Sequence, residues 1–160
     1  MNKIYYTWDQ ISNSINDIIL NMYKDNWKPD LIIGLTRGGL APAVLLSNKT
    51  EIPMHTLDVR LRDTFKGYKP ESNNTFSNKA LKGKNILIVD DINDTGETLE
   101  WIYNDWKGNW PSKESKTMWH SNVRVACLVN NEGSNFEIDY SSIQINKIED
   151  PQWVVFPWEE

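Results

Sequence analysis

Residues 86–89, Ile-Leu-Ile-Val, form an unbroken apolar run after the turn-like Lys82-Gly83-Lys84-Asn85, and they end against two adjacent carboxylates, Asp90 and Asp91. A run of that kind predicts a strand covered on both faces, as in a parallel sheet. Residues 31–35 and 123–129 have the same character. Residues 54–60, led in by Pro53, and residues 142–148 read as two further strands. Helical spacing separates these runs. Ile11, Ile15, Ile18, Ile19 and Met22 fall on one face behind Thr7-Trp8-Asp9-Gln10, which has the form of a capping box. Leu99, Ile102, Tyr103 and Trp106 repeat the spacing after the acidic pair. Residues 40–46 make a third helix, with Pro42 tolerated in its first turn. Strands alternating with helices predict a single α/β domain over residues 1–160 with a mostly parallel central sheet flanked by helices. Ligands then belong at the C-terminal ends of the strands.

Three stretches lack periodicity. Residues 61–82 are rich in Gly, Pro, Ser, Asn and charge, and a loop of that length in a compact domain is expected to be functional or mobile. Residues 109–122 read as a polar, irregular connection. Residues 149–160 form an aromatic tail with Pro151 and Pro157 in it.

Composition narrows the function classes. A length of 160 residues suits one core, and 39% hydrophobic with 24% charged residues is ordinary for a globular domain. A net charge of −5 argues against a partner of the nucleic-acid type, which needs a basic excess. The lone Cys127 excludes an internal disulfide and suits a reducing compartment. Neither a signal-peptide pattern nor a run of 18 apolar residues is present, so a cytoplasmic protein without a membrane partner is expected.

Two loops carry the chemistry. Asp94-Thr95-Gly96-Glu97-Thr98 opens a helix, where free N–H groups and Thr hydroxyls suit a phosphate. Asp90 and Asp91 beside it suit sugar hydroxyls or a hydrated Mg²⁺. Thr36-Arg37-Gly38-Gly39 leaves the neighbouring strand end, and Arg37, Arg60 and Arg62 all lie at or just beyond strand ends. Arginine suits bidentate phosphate contacts, and paired glycines let backbone approach an anion. A receiver domain would need more chain after Asp91 than is present. The glycine fingerprints of Rossmann and P-loop binders are missing. A metal hydrolase built on Asp90, Asp91 and Asp94 remains conceivable, although His55 and His120 are distant from that loop in sequence.

The segment Val89-Asp90-Asp91-Ile92-Asn93-Asp94-Thr95-Gly96-Glu97-Thr98 resembles the phosphoribosyl-pyrophosphate (PRPP) motif of type I phosphoribosyltransferases. Thr36-Arg37-Gly38-Gly39 resembles the pyrophosphate loop of that family. Tyr6-Thr7-Trp8-Asp9 and the tail from Trp153 look closest to its bacterial xanthine–guanine branch. The resemblance implies the type I phosphoribosyltransferase fold, with a small C-terminal hood for the base. It implies transfer of 5-phosphoribose from PRPP to a purine, with guanine, xanthine or hypoxanthine favoured and pyrophosphate released. By this likeness Asp90 and Asp91 meet the ribose hydroxyls, with Mg²⁺ at Asp91. Asp94, Thr95, Gly96, Glu97 and Thr98 complete the ribose-phosphate site, and Thr36, Arg37, Gly38 and Gly39 meet the pyrophosphate at a non-proline cis peptide. The same resemblance implies that Asp94 is the proton-handling catalytic residue. Trp153, Val154 and Asn130 contact the base, residues 61–82 close as a lid, and a homodimer or homotetramer is expected. Asn130 stands where purine-specific relatives have a lysine for the 6-oxo group, which leaves the choice of base open. The alternative within the same fold is a non-catalytic protein that senses PRPP or a nucleotide.

Overall fold

The computed structural model describes all residues except 63, 73, 112 and 114–117. Its elements run β1 (Asn2–Tyr5), α1 (Trp8–Lys24), β2 (Leu31–Leu35), α2 (Leu40–Thr50), β3 (Met54–Leu57) and α3 (Asn74–Leu81). They continue with β4 (Ile86–Asn93), α4 (Glu97–Lys107), β5 (Val123–Asn131), β6 (Tyr140–Ile145), β7 (Gln152–Val155) and a closing 3-10 turn (Pro157–Glu159). A five-stranded sheet has the order β3-β2-β4-β5-β6, and every pairing in it is parallel.

Both faces of the sheet are covered, which is why its central strands carry no polar alternation. Ile32, Leu87, Val89, Ala126 and Leu128 point to one side, where Ile11, Ile15 and Ile18 of α1 and Ala43 and Leu46 of α2 meet them. Leu31, Ile33, Ile86, Ile88 and Val125 point to the other, against Phe76 and Ala80 of α3 and Leu99 and Ile102 of α4. The capping box at the start of α1 is present: Gln10 N donates to Thr7 Oγ1 at 3.2 Å, and Thr7 N donates to Gln10 Oε1 at 2.8 Å.

Several boundaries differ from the sequence pattern. The acidic pair lies inside β4, which continues to Asn93 because Asp90 pairs with Cys127 and Ile92 with Val129 of β5. β3 stops at Leu57, and β6 spans Tyr140–Ile145, so residue 147 lies beyond the strand. The stretch 61–82 contains α3, anchored by the buried Phe76 and Ala80 one turn apart. Two apolar anchors are too few to register as periodicity. Residues 109–122 also contribute to the core, since Trp110, Met118 and Trp119 are buried. The rings of Trp110 and Trp119 lie 6.0 and 5.8 Å from that of Trp106. The aromatic tail forms a strand. β7 pairs in parallel with β1, Ile4 opposite Val154, and makes a separate two-stranded hood. Cys127 is buried in the core, and burial pushes its thiol up, which makes it inert. Among the described residues no helix is long and apolar enough to cross a membrane.

Candidate active site

The site begins with a register. β2 and β4 are neighbours with Gly34 opposite Val89, so the chain leaving β2 at Thr36 emerges beside Asp90 and Asp91. A cavity of about 600 Å³ opens there, bounded by both loops on one side and by Trp153, Val154 and Trp158 of the hood on the other.

The Thr36–Arg37 peptide is cis, as the family resemblance implied. Arg37 is exposed and makes no ion pair among the described residues. Gly38 faces Asp91 so closely that an added Cβ would fall on the carboxylate. Gly39 is buried and does not line the cavity; a Cβ there would strike the Val89 carbonyl and the backbone of Leu35. Gly39 therefore lets the loop lie on β4 and, contrary to the sequence expectation, is not placed to meet a ligand in the cavity. Thr36 Oγ1 donates to Asp58 Oδ1 at 2.6 Å. That bond, with others from Tyr68 and Arg60, holds the Asp58 carboxyl below its usual range against the opposing push of burial. Arg60 completes the cluster, its Nε 3.1 Å from Asp58 and its guanidinium 4.9 Å from the Tyr68 ring centroid.

Asp91 N donates to Asp90 Oδ1 at 2.9 Å, and Ile92 N donates to Asp91 Oδ1 at 2.7 Å. Burial first, and then the charge of Asp91, push the Asp90 carboxyl well above its ordinary range. Burial is also the main cause that pushes Asp91 up to about 6, and the negative charge of Glu159 adds to it. Glu159 reaches the cavity from the closing turn, where its Oε2 accepts from Phe156 N at 2.8 Å. Asp90 and Asp91 offer oxygen donors, the ligand type a hard divalent cation such as Mg²⁺ takes, while among the described residues no group of three or more His, Cys, Asp or Glu side chains is placed to hold a metal by itself.

Gly96 sits at φ +90°, where a glycine is favoured, and a Cβ there would come within 2.8 Å of Phe136 N. The N-cap of α4 is Gly96, which has no side chain to cap it; Glu97 N makes a long 3.4 Å bond to Thr95 Oγ1, and the first turn, at Glu97 and Thr98, faces the cavity, where its N–H groups suit an anion. Asp94 is the most heavily contacted residue of the loop. Its Oδ2 is 3.1 Å from Lys147 Nζ and 3.2 Å from Arg62 Nη1. Its backbone carbonyl accepts from Asn131 Nδ2 at 2.9 Å.

Of the residues expected from sequence, the cavity gathers Thr36, Arg37, Gly38, Asp90, Asp91, residues 94–98, Trp153 and Val154. Asn130 is not among them. Its side chain is engaged by Asn93 Nδ2 at 2.8 Å and Gln144 Oε1 at 3.0 Å, and it lines a second, polar cavity beyond β5. Alternate residues of a strand face opposite ways, so the neighbouring Asn131 takes the position beside Asp94. Sequence reasoning missed Lys147, Asn131 and Glu159. Lys147 fell inside the strand expected over 142–148. The only available signal was that it is the sole cation between the end of β6 and Trp153.

A phosphoribosyl transferase domain model matches residues 1–160 of the chain. The chain is 28% identical to a xanthine-guanine phosphoribosyltransferase of Cereibacter sphaeroides, over 97% of its own length and 86% of that protein. A solved purine phosphoribosyltransferase from Pyrococcus horikoshii superposes with a TM-score of 0.70 at 31% identity, covering 100% of this chain and 95% of the other. A Neisseria gonorrhoeae protein solved with bound ppGpp gives a TM-score of 0.73 at 25% identity, with coverage of 99% and 90%. The chain belongs to the phosphoribosyl transferase domain family.

Proposed function

We propose that this protein is a purine phosphoribosyltransferase that moves 5-phosphoribose from PRPP to a base and releases pyrophosphate. The observation that carries this reading is the meeting, in one cavity, of three groups: the Asp90–Asp91 pair, the glycine-led start of α4, and Asp94 together with Trp153. The identities of the Cereibacter and Pyrococcus relatives support it.

In this reading the first turn of α4, with Thr95 and Thr98, holds the 5-phosphate. Asp90 and Asp91 accept hydrogen bonds from the ribose hydroxyls. Thr36, Arg37 and Gly38 receive the pyrophosphate, Arg37 being exposed and without an ion pair among the described residues. Trp153 stacks on the base beside Val154. The base nitrogen forms its bond to C1 of the ribose as the C1–oxygen bond to pyrophosphate breaks, and the bonding pair leaves with pyrophosphate. The proton on the base passes to the carboxylate of Asp94. Asp91, with Asp90 and Glu159 nearby, would hold Mg²⁺, which when bound supplies charge neutralisation for the pyrophosphate. Arg62 reaches Asp94 and Thr95 from the stretch 61–82, consistent with that stretch as the lid that excludes water. Residues 63 and 73 of that stretch lie outside the described residues.

The test is release of pyrophosphate from PRPP with a panel of guanine, hypoxanthine, xanthine, adenine, uracil and orotate. Turnover with a purine and not with a pyrimidine is expected. PRPP or nucleotide binding without turnover on any base would make the nucleotide-sensing reading the better one.

A further inference from the structure

The base half of the cavity contains a cation that the PRPP motifs do not account for. Arg37, Arg60 and Arg62 approach from the β2 and β3 side, whereas Lys147 comes from the β6–β7 connection, which leads into the strand carrying Trp153. Its ammonium lies 3.1 Å from Asp94 Oδ2 and 5.6 Å from the centroid of the Trp153 ring. It therefore occupies the space between the carboxylate that receives the base proton and the ring on which the base stacks. The side chain is largely buried, 20% exposed against 53% for Arg62, so Lys147 is the fixed partner of Asp94 and Arg62 the peripheral one.

One residue sets this arrangement. Asn131 Nδ2 donates to Asp94 O at 2.9 Å, while Asn131 Oδ1 accepts from Lys147 N at 3.1 Å. The two chain segments are thus held at a fixed separation by a single amide. Asn146 Oδ1 accepts from Ile148 N at 3.1 Å and closes the turn on which Lys147 stands. Asn130, the residue aligned with the lysine of purine-specific relatives, lies outside the cavity, tied to Asn93 and Gln144.

We infer that Lys147 is the residue that selects a 6-oxopurine over a 6-aminopurine, the ammonium being delivered from the β6–β7 turn and not from the end of β5. The inference rests on the purine reading above. A carboxylate and an ammonium side by side present an acceptor and a donor. That matches a purine edge whose ring N–H lies next to a carbonyl, and it opposes an edge carrying an amine, which would set donor against donor. An incoming base displaces the ammonium from the face of Trp153 toward the edge of the base beside Asp94.

The experiment compares Lys147→Ala, Lys147→Arg and Asn130→Ala with the unaltered protein. It measures kcat/KM for hypoxanthine and adenine, the KM for PRPP, and the affinities for GMP and AMP by tryptophan fluorescence. In Lys147→Ala the hypoxanthine kcat/KM should fall about 10- to 100-fold, the size of one lost charge-assisted hydrogen bond. Adenine should be spared, GMP should lose its advantage over AMP, and the PRPP KM should stay unchanged. Lys147→Arg should recover part of the ratio, and Asn130→Ala should leave it unchanged. An equal fall for both bases in Lys147→Ala would overturn the inference, because Lys147 would then serve only to hold Asp94. A loss of the ratio in Asn130→Ala would overturn it too. If no base turns over, the transferase reading fails separately. The GMP-over-AMP preference and its loss in Lys147→Ala then decide the inference alone, and equal affinities for the two nucleotides overturn it.

Discussion

Asn131, buried as the last residue of β5, donates its side-chain amide to the backbone carbonyl of Asp94 at 2.9 Å. The contact crosses from one strand end to the loop beyond another, and it fixes where the Asp94 carboxylate can point. Replacing Asn131 with Ala removes the donor and leaves a partly buried carbonyl without it, at a cost of about 1–3 kcal/mol. Urea denaturation should show that loss. If Asp94 handles the proton of the base, as proposed, steady-state kinetics should show a fall in kcat larger than any rise in the PRPP KM.

Gly38 and Gly39 are adjacent but should fail differently when a methyl group is added. At Gly38 the obstacle is the Asp91 carboxylate, and at Gly39 it is the backbone of Leu35 and Val89. Gly38→Ala must displace the Asp91 carboxylate and should therefore cost less stability than Gly39→Ala while losing PRPP affinity, measured by calorimetric titration. Gly39→Ala must push two strands apart and should lose about 1–3 kcal/mol or more of stability, the scale of overpacking a core. Equal effects of the two substitutions would contradict this division of roles.

Stability should depend on pH through the acidic pair. Both carboxyls are pushed upward, Asp91 to about 6, so the folded chain holds more protons than the unfolded one from about pH 4 upward through that value. The stability of the ligand-free protein carried by these groups is thus greatest below that window and is lost as pH rises through it. Asp58, held down mainly by the Thr36 hydroxyl, acts in the opposite sense and loses its contribution as pH falls. The difference between the unaltered protein and Asp91→Asn isolates the pair. Thermal melts from pH 4.5 to 8 should show Asp91→Asn gaining in Tm relative to the unaltered protein as pH rises. A constant difference would contradict the assignment.

The sheet and both loops were legible because their signals are local. Apolar runs mark the central strands, and Asp94-Thr95-Gly96-Glu97-Thr98 and Thr36-Arg37-Gly38-Gly39 each act as contiguous units. Residues placed by long-range register were not legible. Whether Asn130 or Asn131 faces Asp94 depends on the pairing of Asn93 with Asn130, since a shift of one residue exchanges the faces. Lys147 and Glu159 reach the cavity only because β6 ends at Ile145 and the chain then pairs β7 with β1. A helix held by two apolar anchors, Phe76 and Ala80, is invisible to a periodicity argument within a stretch of Gly, Pro and Asn.

The central claim is that Asp94 handles the proton of a purine while its neighbours hold PRPP. The most direct measurement is pyrophosphate release from PRPP with hypoxanthine or guanine by the unaltered protein and by Asp94→Ala, beside the PRPP affinity of each. The account predicts turnover in the former, a fall of about 10²- to 10⁴-fold in the latter, and PRPP affinities within a few-fold of one another. Turnover in Asp94→Ala at the full rate, or a lost PRPP affinity that accounts for the whole defect, would contradict it.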